Sequence, residues 1–253
     1  GLLPTGLEEL VQLVVEQDPA SGRRLPRTRN EIWDSLVYCA LIDTNRSEAE
    51  ARYLYQLIHG RRLLKLSEML RLRTEWADRV RSVLRNQMRR LRQGRKLSVI
   101  SAFVDGQVDD LNQCLLEAAT YFLNQKVSAS FLRTRTSTYD DTVNLVEEIA
   151  YPKSEKHIHK IGLTKTILWL QTFGLALDLC PPSRQVRGFV NDDLGIEVKP
   201  SVYGEDQELV EIYADYFICI AKVRMVAEQL RIKLSKPITT RDVGLAVWYY
   251  KSC

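Results

Sequence analysis

The chain has 253 residues, of which 45% are hydrophobic, and this is enough apolar material for one large domain or two closely associated subdomains. Its formal net charge of +4 gives only weak support for a polyanionic partner. The 5 cysteines form no C-x-x-C pair and are odd in number, which argues against a zinc site and a secreted disulfide framework. We therefore expect an intracellular compartment, either the cytoplasm with its nucleoid or the nucleus. Because no apolar run reaches about 18 residues, we expect no membrane partner.

Three helices are predicted in the first part of the chain. Apolar residues recur at helical spacing over residues 4–17, where Thr5 is the expected cap. A strongly apolar second helix is expected to start after a cap at Asn30, and a third is expected to run from Ser47 to Gly60. A short polar turn joins these two helices, so they should form an antiparallel pair.

Basic residues are concentrated in the next stretch. Between Arg79 and Lys96 there are 8 Lys and Arg residues and no acidic residue. A helix here would carry one stripe of arginines, namely Arg81, Arg85, Arg89 and Arg92. The stripe predicts contact with a phosphate backbone, through charge-assisted hydrogen bonds and counterion release. The alternative is a solvated helical face.

The stretch from 97 to 158 has few functional signals. It predicts an amphipathic helix capped near Asp109 or Asp110. His157 and His159 lie two residues apart, but without nearby cysteines or well-placed carboxylates they do not predict a metal site.

The most informative stretch, residues 159–195, reads HKIGLTKTILWLQTFGLALDLCPPSRQVRGFVNDDLG. It predicts a tight turn at 160–164, a helix over 165–177 and, after a Pro-Pro break, a helix over 183–192. Gly162 could take a positive φ in the turn. A helix that starts directly after the turn would present free N–H groups and its positive dipole end to a DNA phosphate.

These residues resemble the helix-hairpin-helix DNA glycosylases, the base-excision repair superfamily that includes endonuclease III and the 8-oxoguanine glycosylases. In that family a G-h-G-x-K hairpin places a lysine nucleophile, and an aspartate follows about eighteen residues later at the head of the next helix. Lys165 matches the lysine, whereas the position eighteen residues further on is Ser183. Some relatives of endonuclease III carry a four-cysteine iron–sulfur cluster, but the cysteines here are too scattered to ligate one, so no cofactor is expected.

Helix caps recur along the chain and no alternating β pattern is convincing, so the predicted fold class is all-α. The interpretation is a single helix-hairpin-helix glycosylase-like unit over residues 1–253, with two helical subdomains beside a central cleft. The approximate subdomains are residues 30–165 and residues 1–29 with 166–253, and the hairpin occupies residues 159–166.

Lys165 is the candidate nucleophile. The positive end of the helix dipole and partial burial would disfavour its ammonium form and free the amine. In a bifunctional glycosylase such an amine attacks C1′ of the deoxyribose, displaces the base and leaves a Schiff base that permits strand cleavage. The alternative is a lysine that binds phosphate beside Lys160 without covalent chemistry.

The family aspartate has no direct counterpart here. Ser183 cannot supply the negative charge that stabilises the developing sugar cation, although it can cap the following helix. Asp178, thirteen residues after Lys165, is the candidate replacement. Either the active site is rearranged around Asp178, or the chain binds DNA without glycosylase chemistry. The candidate catalytic residues are Lys165, Asp178 and Ser183.

Other candidates would contact DNA or an extruded base. In the resembled glycosylases the turn of the first helix pair fills the gap left by a flipped base, which suggests Asn45 and Arg46. A C-terminal helix with Thr240 as its cap resembles the Arg-Asp-Val-x-x-Ala-hydrophobic-Trp helix that packs near the base pocket of that family. The DNA-binding candidates are Lys160, Gly162, Thr164, Thr166, Arg184, Arg187, Asn45 and Arg46. The base-pocket candidates are Trp33, Trp248 and Tyr249, for which a role in the core is the alternative.

The expected function is that of a DNA glycosylase, with or without AP-lyase activity, that flips a modified or damaged base from duplex DNA and cleaves its N-glycosidic bond. The first alternative is a catalytically silent helix-hairpin-helix DNA-binding protein, and the second is a helical interaction protein. The expected partner is double-stranded DNA, with no small-molecule cofactor and no metal, and we expect a monomer.

Overall fold

The computed structural model describes residues 3–18, 24–26, 28–42, 47–91, 93–198 and 206–252, and the side chains of 206–214 fall outside that description. Within these ranges the regular secondary structure is entirely helical, which confirms the all-α prediction. The helices are α1 (Leu7–Gln17), α2 (Arg29–Leu41), α3 (Glu48–His59), α4 (Leu66–Leu72), α5 (Glu75–Met88), α6 (Arg95–Gly106), α7 (Val108–Asn124), α8 (Ala129–Arg135), α9 (Tyr139–Ala150), α10 (Leu163–Gln171), α11 (Arg184–Gly188), α12 (Asp206–Leu234) and α13 (Thr240–Tyr250). A π-helical turn, Phe189–Asp193, directly follows α11.

The predicted bounds of α3 agree with the structure to within one residue at each end, whereas the prediction for the start of α2 does not hold. Ser47 caps α3: its hydroxyl accepts from the Glu50 amide at 3.3 Å, and the Glu50 carboxylate accepts from the Ser47 amide at 2.9 Å. The cap predicted at Asn30 is wrong, because α2 begins at Arg29 and the hydroxyl of Thr28 accepts from the Glu31 amide. A cap needs its side-chain oxygen about three residues before the amide that it accepts from, and Asn30 already lies inside the first turn.

Two more predicted caps are displaced by one residue. The residue before α1 is Gly6, which has a φ of 88° and provides no side-chain cap, so Thr5 is not the cap. Thr240 is the first residue of α13, and the preceding Thr239 forms a reciprocal capping box with Asp242. Thr239 and Thr240 have identical side chains, but only Thr239 is followed three residues later by a carboxylate, that of Asp242.

The chain divides into two compact units, and one of them, the central unit, comprises residues 26–137 and 144–169. In it α5 packs against α6 and α7, and α2 packs against α3 and α7. Three buried tryptophans each donate the indole N–H to a backbone carbonyl: Trp33 to Leu64 and Trp76 to Leu63, both at 2.6 Å, and Trp169 to Ile32 at 3.2 Å. Because their one polar group is satisfied, these side chains contribute their whole apolar surface to the core.

The terminal unit comprises residues 1–25, 138–143 and 170–253. In it α13 packs against α1 and α12. The first turn of α13 holds a buried ion pair, in which Arg241 contacts the carboxylates of Asp242 and Asp18. The arginine amide also donates to the Leu177 carbonyl at 3.0 Å. Both apolar packing and a buried charge network therefore fix α13 within this unit.

Candidate nucleic-acid interface

The turn before α10 is built around Lys160, not around Gly162. The Ile161 amide donates to the Ile158 carbonyl at 3.0 Å, and Lys160 has a φ of 60°. Gly162 is not among the residues with a positive φ, and a Cβ added to it would meet no atom within 4 Å. The predicted left-handed role of Gly162 is therefore wrong. The turn places its strained backbone two residues earlier, at a residue that is not glycine.

The helix after the turn is shorter than predicted and starts earlier. It runs over Leu163–Gln171 instead of 165–177. Residues with positive φ follow its end, with 71° at Gly174 and 54° at Ala176, and a left-handed residue cannot continue an α-helix. The Gln171 side-chain amide donates to the Ala176 and Leu179 carbonyls at 3.3 and 2.8 Å, which holds this turn in place.

The turn geometry changes how the hairpin matches the G-h-G-x-K pattern. A patterned glycine is needed where φ is positive, and that position is occupied here by Lys160. With the first glycine position at Lys160, the second falls on Gly162 and the lysine position falls on Thr164. Thr164 is exposed, whereas the following Lys165 is half-buried.

The amine of Lys165 faces the end of another helix. Its Nζ atom donates to the Ala40 carbonyl at 3.2 Å, in the last turn of α2. Carbonyls in a final helical turn lack intrahelical partners, and the negative end of the dipole favours a cation there. The amine of Lys165 is thus placed where a donor stabilises the end of α2.

A small cavity lies beside this amine within the central unit. Its volume is about 40 Å³, which suits a few water molecules. The lining residues are Ala40, Leu41, Phe103, Gln107, Asp110, Leu111, Cys114, Lys160 and Lys165. Burial raises the pKa of the Cys39 and Cys114 thiols to about 12, against a smaller opposing effect of the Lys165 charge. These thiols therefore stay protonated near neutral pH and are poor nucleophiles.

The first turn of α7 carries two carboxylates, one of which contacts the hairpin and the other α5. Asp110 pairs with Lys160, and Asp109 pairs with Arg81 of α5. Neither aspartate is the cap of α7, because the residue before this helix is Gln107, which makes no side-chain cap bond. Acidic residues in a first helical turn are a local cap signal, whereas these two form ion pairs with residues distant in sequence. Nothing in the spacing of the sequence indicates these pairs.

Other contacts hold the loop before the turn. The Glu117 carboxylate accepts from the His159 amide at 2.6 Å, and the His157 ring lies 3.1 Å from the Ile149 carbonyl. Among the residues with described positions, no three His, Cys, Asp or Glu side chains are grouped so as to hold a metal ion. His157 thus contacts the backbone through its ring, and His159 holds the loop through its own amide.

The tip of the hairpin, residues 160–164, has backbone amides without protein partners, and its exposed side chains are those of Lys160 and Thr164. Within the described ranges, the amides of Gly162, Leu163 and Thr164 donate to no protein acceptor. Thr166, by contrast, is fully buried and its hydroxyl donates to the Gly162 carbonyl at 3.1 Å. Of the predicted hairpin contacts, the structure thus brings Lys160, Gly162 and Thr164 to one tip and places Thr166 inside.

The terminal unit contains two candidate catalytic residues, Ser183 and Asp178, and two candidate DNA-binding residues, Arg184 and Arg187. Ser183 caps α11, since its hydroxyl accepts from the Val186 amide at 3.3 Å, and it carries no charge. Asp178 and Arg184 are exposed. The guanidinium of Arg187 lies 5.7 Å from the centre of the Tyr216 ring. Its Nε and Nη1 atoms are buried and have no hydrogen-bond partner among the residues that the structure describes.

Of the three candidate residues for the base pocket, one lies in the core and two lie at the surface. Trp33 is 1% exposed and packs edge-on against Phe122 at 5.3 Å, so it is a core residue of the central unit and not part of an open base pocket. Trp248 and Tyr249 are 43% and 46% exposed and form an edge-to-face pair with centroids 5.2 Å apart. Asn45 and Arg46, the residues predicted to fill the gap left by a flipped base, lie outside the described residues.

Comparisons of this chain with protein-family models, with curated proteins and with solved structures find no match. Among the helices described, none has both the length and the apolar character required to cross a bilayer.

Proposed function

We propose that this chain is a helix-hairpin-helix DNA-binding protein that holds the backbone of duplex DNA at residues 160–164 and has no lysine nucleophile. The observation that carries the proposal is the contrast between two neighbours at the start of α10. Thr164 is exposed beside amides that have no protein acceptor, whereas the amine of Lys165 is directed at the Ala40 carbonyl.

The tip has the properties that a phosphate requires. Unpaired first-turn amides and the positive end of the dipole of α10 both favour an anion. Lys160 is half-exposed and supplies a cation at the same tip. Contacts of this kind fix the position of a duplex and carry no base sequence information.

Lys160 is paired with Asp110 in the free protein, so a phosphate has to compete with this carboxylate. Exposed pairs of this type contribute about 0–1 kcal/mol, and the exchange for a phosphate is therefore feasible. Asp110 then acts as a built-in competitor that weakens the binding of anions to the hairpin.

Opposite charge changes at the tip should move affinity in opposite directions. Thr164→Glu places a carboxylate beside the free amides and is expected to weaken duplex binding about tenfold. Asp110→Asn removes the competitor of Lys160 and is expected to tighten binding about two- to threefold. Fluorescence anisotropy with a labelled duplex at low salt measures both effects.

Thr120→Glu is the matched control, because Thr120 is an exposed threonine further along α7 in the same unit. It adds the same charge and is expected to leave affinity within about twofold of the wild type. An equal loss in Thr164→Glu and Thr120→Glu would show that the hairpin tip has no special role.

A second candidate function, a monofunctional DNA glycosylase, is favoured by the exposed Trp248 and Tyr249 rings, since base stacking on an aromatic side chain contributes about 1–3 kcal/mol. Such an enzyme would activate water and would not form a Schiff base. It would also need a carboxylate in place of Ser183, for which Asp178 is the candidate.

Borohydride trapping on duplexes with an abasic site or modified bases tests the lyase chemistry, and alkali treatment of the modified-base duplexes tests base release. We expect no covalent adduct on any duplex and no new alkali-labile site in the modified-base duplexes. An adduct that forms with the wild type and disappears in Lys165→Gln would assign the nucleophile to Lys165 and replace our proposal by a bifunctional glycosylase. Alkali-labile sites without an adduct would instead support the monofunctional enzyme.

A further inference from the structure

The outer face of α5 and the turn that follows it carry exposed arginines. Arg79, Arg85, Arg89 and Arg90 are all exposed. None of them forms an ion pair with an acidic side chain in the described part of the chain. The buried face of the same helix holds Trp76, Ala77, Val80 and Leu84, so the helix cannot rotate to hide these charges.

Not all of the predicted arginine stripe belongs to this face. Arg81 is half-buried and is held by Asp78 at 3.4 Å and by Asp109. Its charge is therefore already compensated in the free protein, and Arg92 lies outside the described residues. Arg95, at the start of α6, is similarly paired with Glu50 at 2.8 Å. We define the α5 basic face as the four exposed arginines without such partners: Arg79, Arg85, Arg89 and Arg90.

The α5 basic face lies near the hairpin within the same unit. The first turn of α7 places Asp109 and Asp110 side by side, and the first binds Arg81 of α5 while the second binds Lys160 of the hairpin. From Arg81 the helix continues through Arg85, one turn or about 6 Å further along its axis. The first turn of α7 therefore contacts both the hairpin, at Lys160, and α5, the helix that carries most of the α5 basic face.

We propose that the α5 basic face is a second phosphate-contact surface, which continues the path of the DNA backbone away from the hairpin. The inference rests on the proposed function, because the hairpin supplies the first contact. Each exposed arginine would donate to phosphate oxygens and release condensed counterions. These contacts add affinity for any sequence and lengthen the DNA segment that the protein covers.

The test is the dependence of duplex affinity on salt. The double variant Arg85→Gln/Arg89→Gln removes two phosphate contacts, so the magnitude of the slope of log K against log salt is expected to fall by about 1.8. The matched control is Arg52→Gln/Arg71→Gln, which removes two exposed arginines whose charges are already paired, with Glu48 at 2.9 Å and with Glu68 at 2.7 Å. We expect this control to leave the slope within about 0.3 of the wild type.

The possible results separate the two proposals. A smaller slope for the double variant alone, with a thermal melt like that of the wild type, supports the second contact surface. If the wild type binds duplex DNA, Thr164→Glu weakens it and the double variant keeps the wild-type slope, the α5 basic face is a solvated surface and the hairpin proposal stands. If the wild type does not bind a duplex at low salt, the proposed function itself is overturned, and this inference with it.

Discussion

Replacing Arg241 by methionine is expected to destabilise the terminal unit by about 3–5 kcal/mol, because it leaves a buried carboxylate without its cation. Arg241 and Asp242 are 6% and 2% exposed, and the Nη1 atom of Arg241 lies 3.2 Å from the Asp242 carboxylate. Asp242 keeps its bonds from Thr239, but these do not replace a full positive charge. Urea unfolding followed by circular dichroism measures the loss.

Two further variants test the cause of this effect. In Arg241→Met/Asp242→Asn the stranded charge is absent while the amide can still serve the capping box, so much of the lost stability should return. Lys233→Met breaks the more exposed pair with Glu8 and is expected to cost less than about 1 kcal/mol. Equal losses in Arg241→Met and the double variant would show that packing around the arginine, and not its charge, stabilises α13.

Gly244→Ala is expected to destabilise the terminal unit by about 2–3 kcal/mol even though alanine favours a helix by about 1 kcal/mol. A Cβ at this position would lie 2.5 Å from the Cβ of Cys180, so α13 would have to move away from the backbone beneath it. The melting temperature should fall by roughly 5–10 °C.

The matched control is Gly162→Ala in the hairpin, where an added methyl group meets no atom within 4 Å and φ is not positive. Its stability should be unchanged or slightly higher, since alanine restricts the unfolded chain. A melting temperature for Gly244→Ala that equals the wild-type value would contradict the close approach of α13 to Cys180.

Local sequence signals predicted several features of this chain correctly, because the physics behind them is local. The all-α class, the bounds of α3 and the cap at Ser183 depend on side chains and amides within one helical turn. The caps at Thr28 and Thr239 depend on the same rule, and the predictions missed each by one or two residues. Of the neighbouring Thr239 and Thr240, only Thr239 has a carboxylate three residues further on to complete a capping box.

The candidate site was harder to predict, because its contacts join distant parts of the chain. Lys165 reaches the carbonyl of Ala40, which lies 125 residues earlier, and Lys160 reaches Asp110. Successive residues of a helix differ by about 100° in direction, so a register error of one residue exchanges an exposed side chain for an inward one. This is the difference between Thr164 and Lys165, and no spacing rule resolves it.

A salt titration of the wild-type chain measures whether the hairpin binds the backbone of duplex DNA. Anisotropy of a labelled, unmodified duplex should show binding at about 50 mM salt and a steep, linear loss of log affinity as log salt rises. Thr164→Glu should weaken this binding throughout the titration. No binding at low salt, or binding that does not change with salt, would contradict the proposed function.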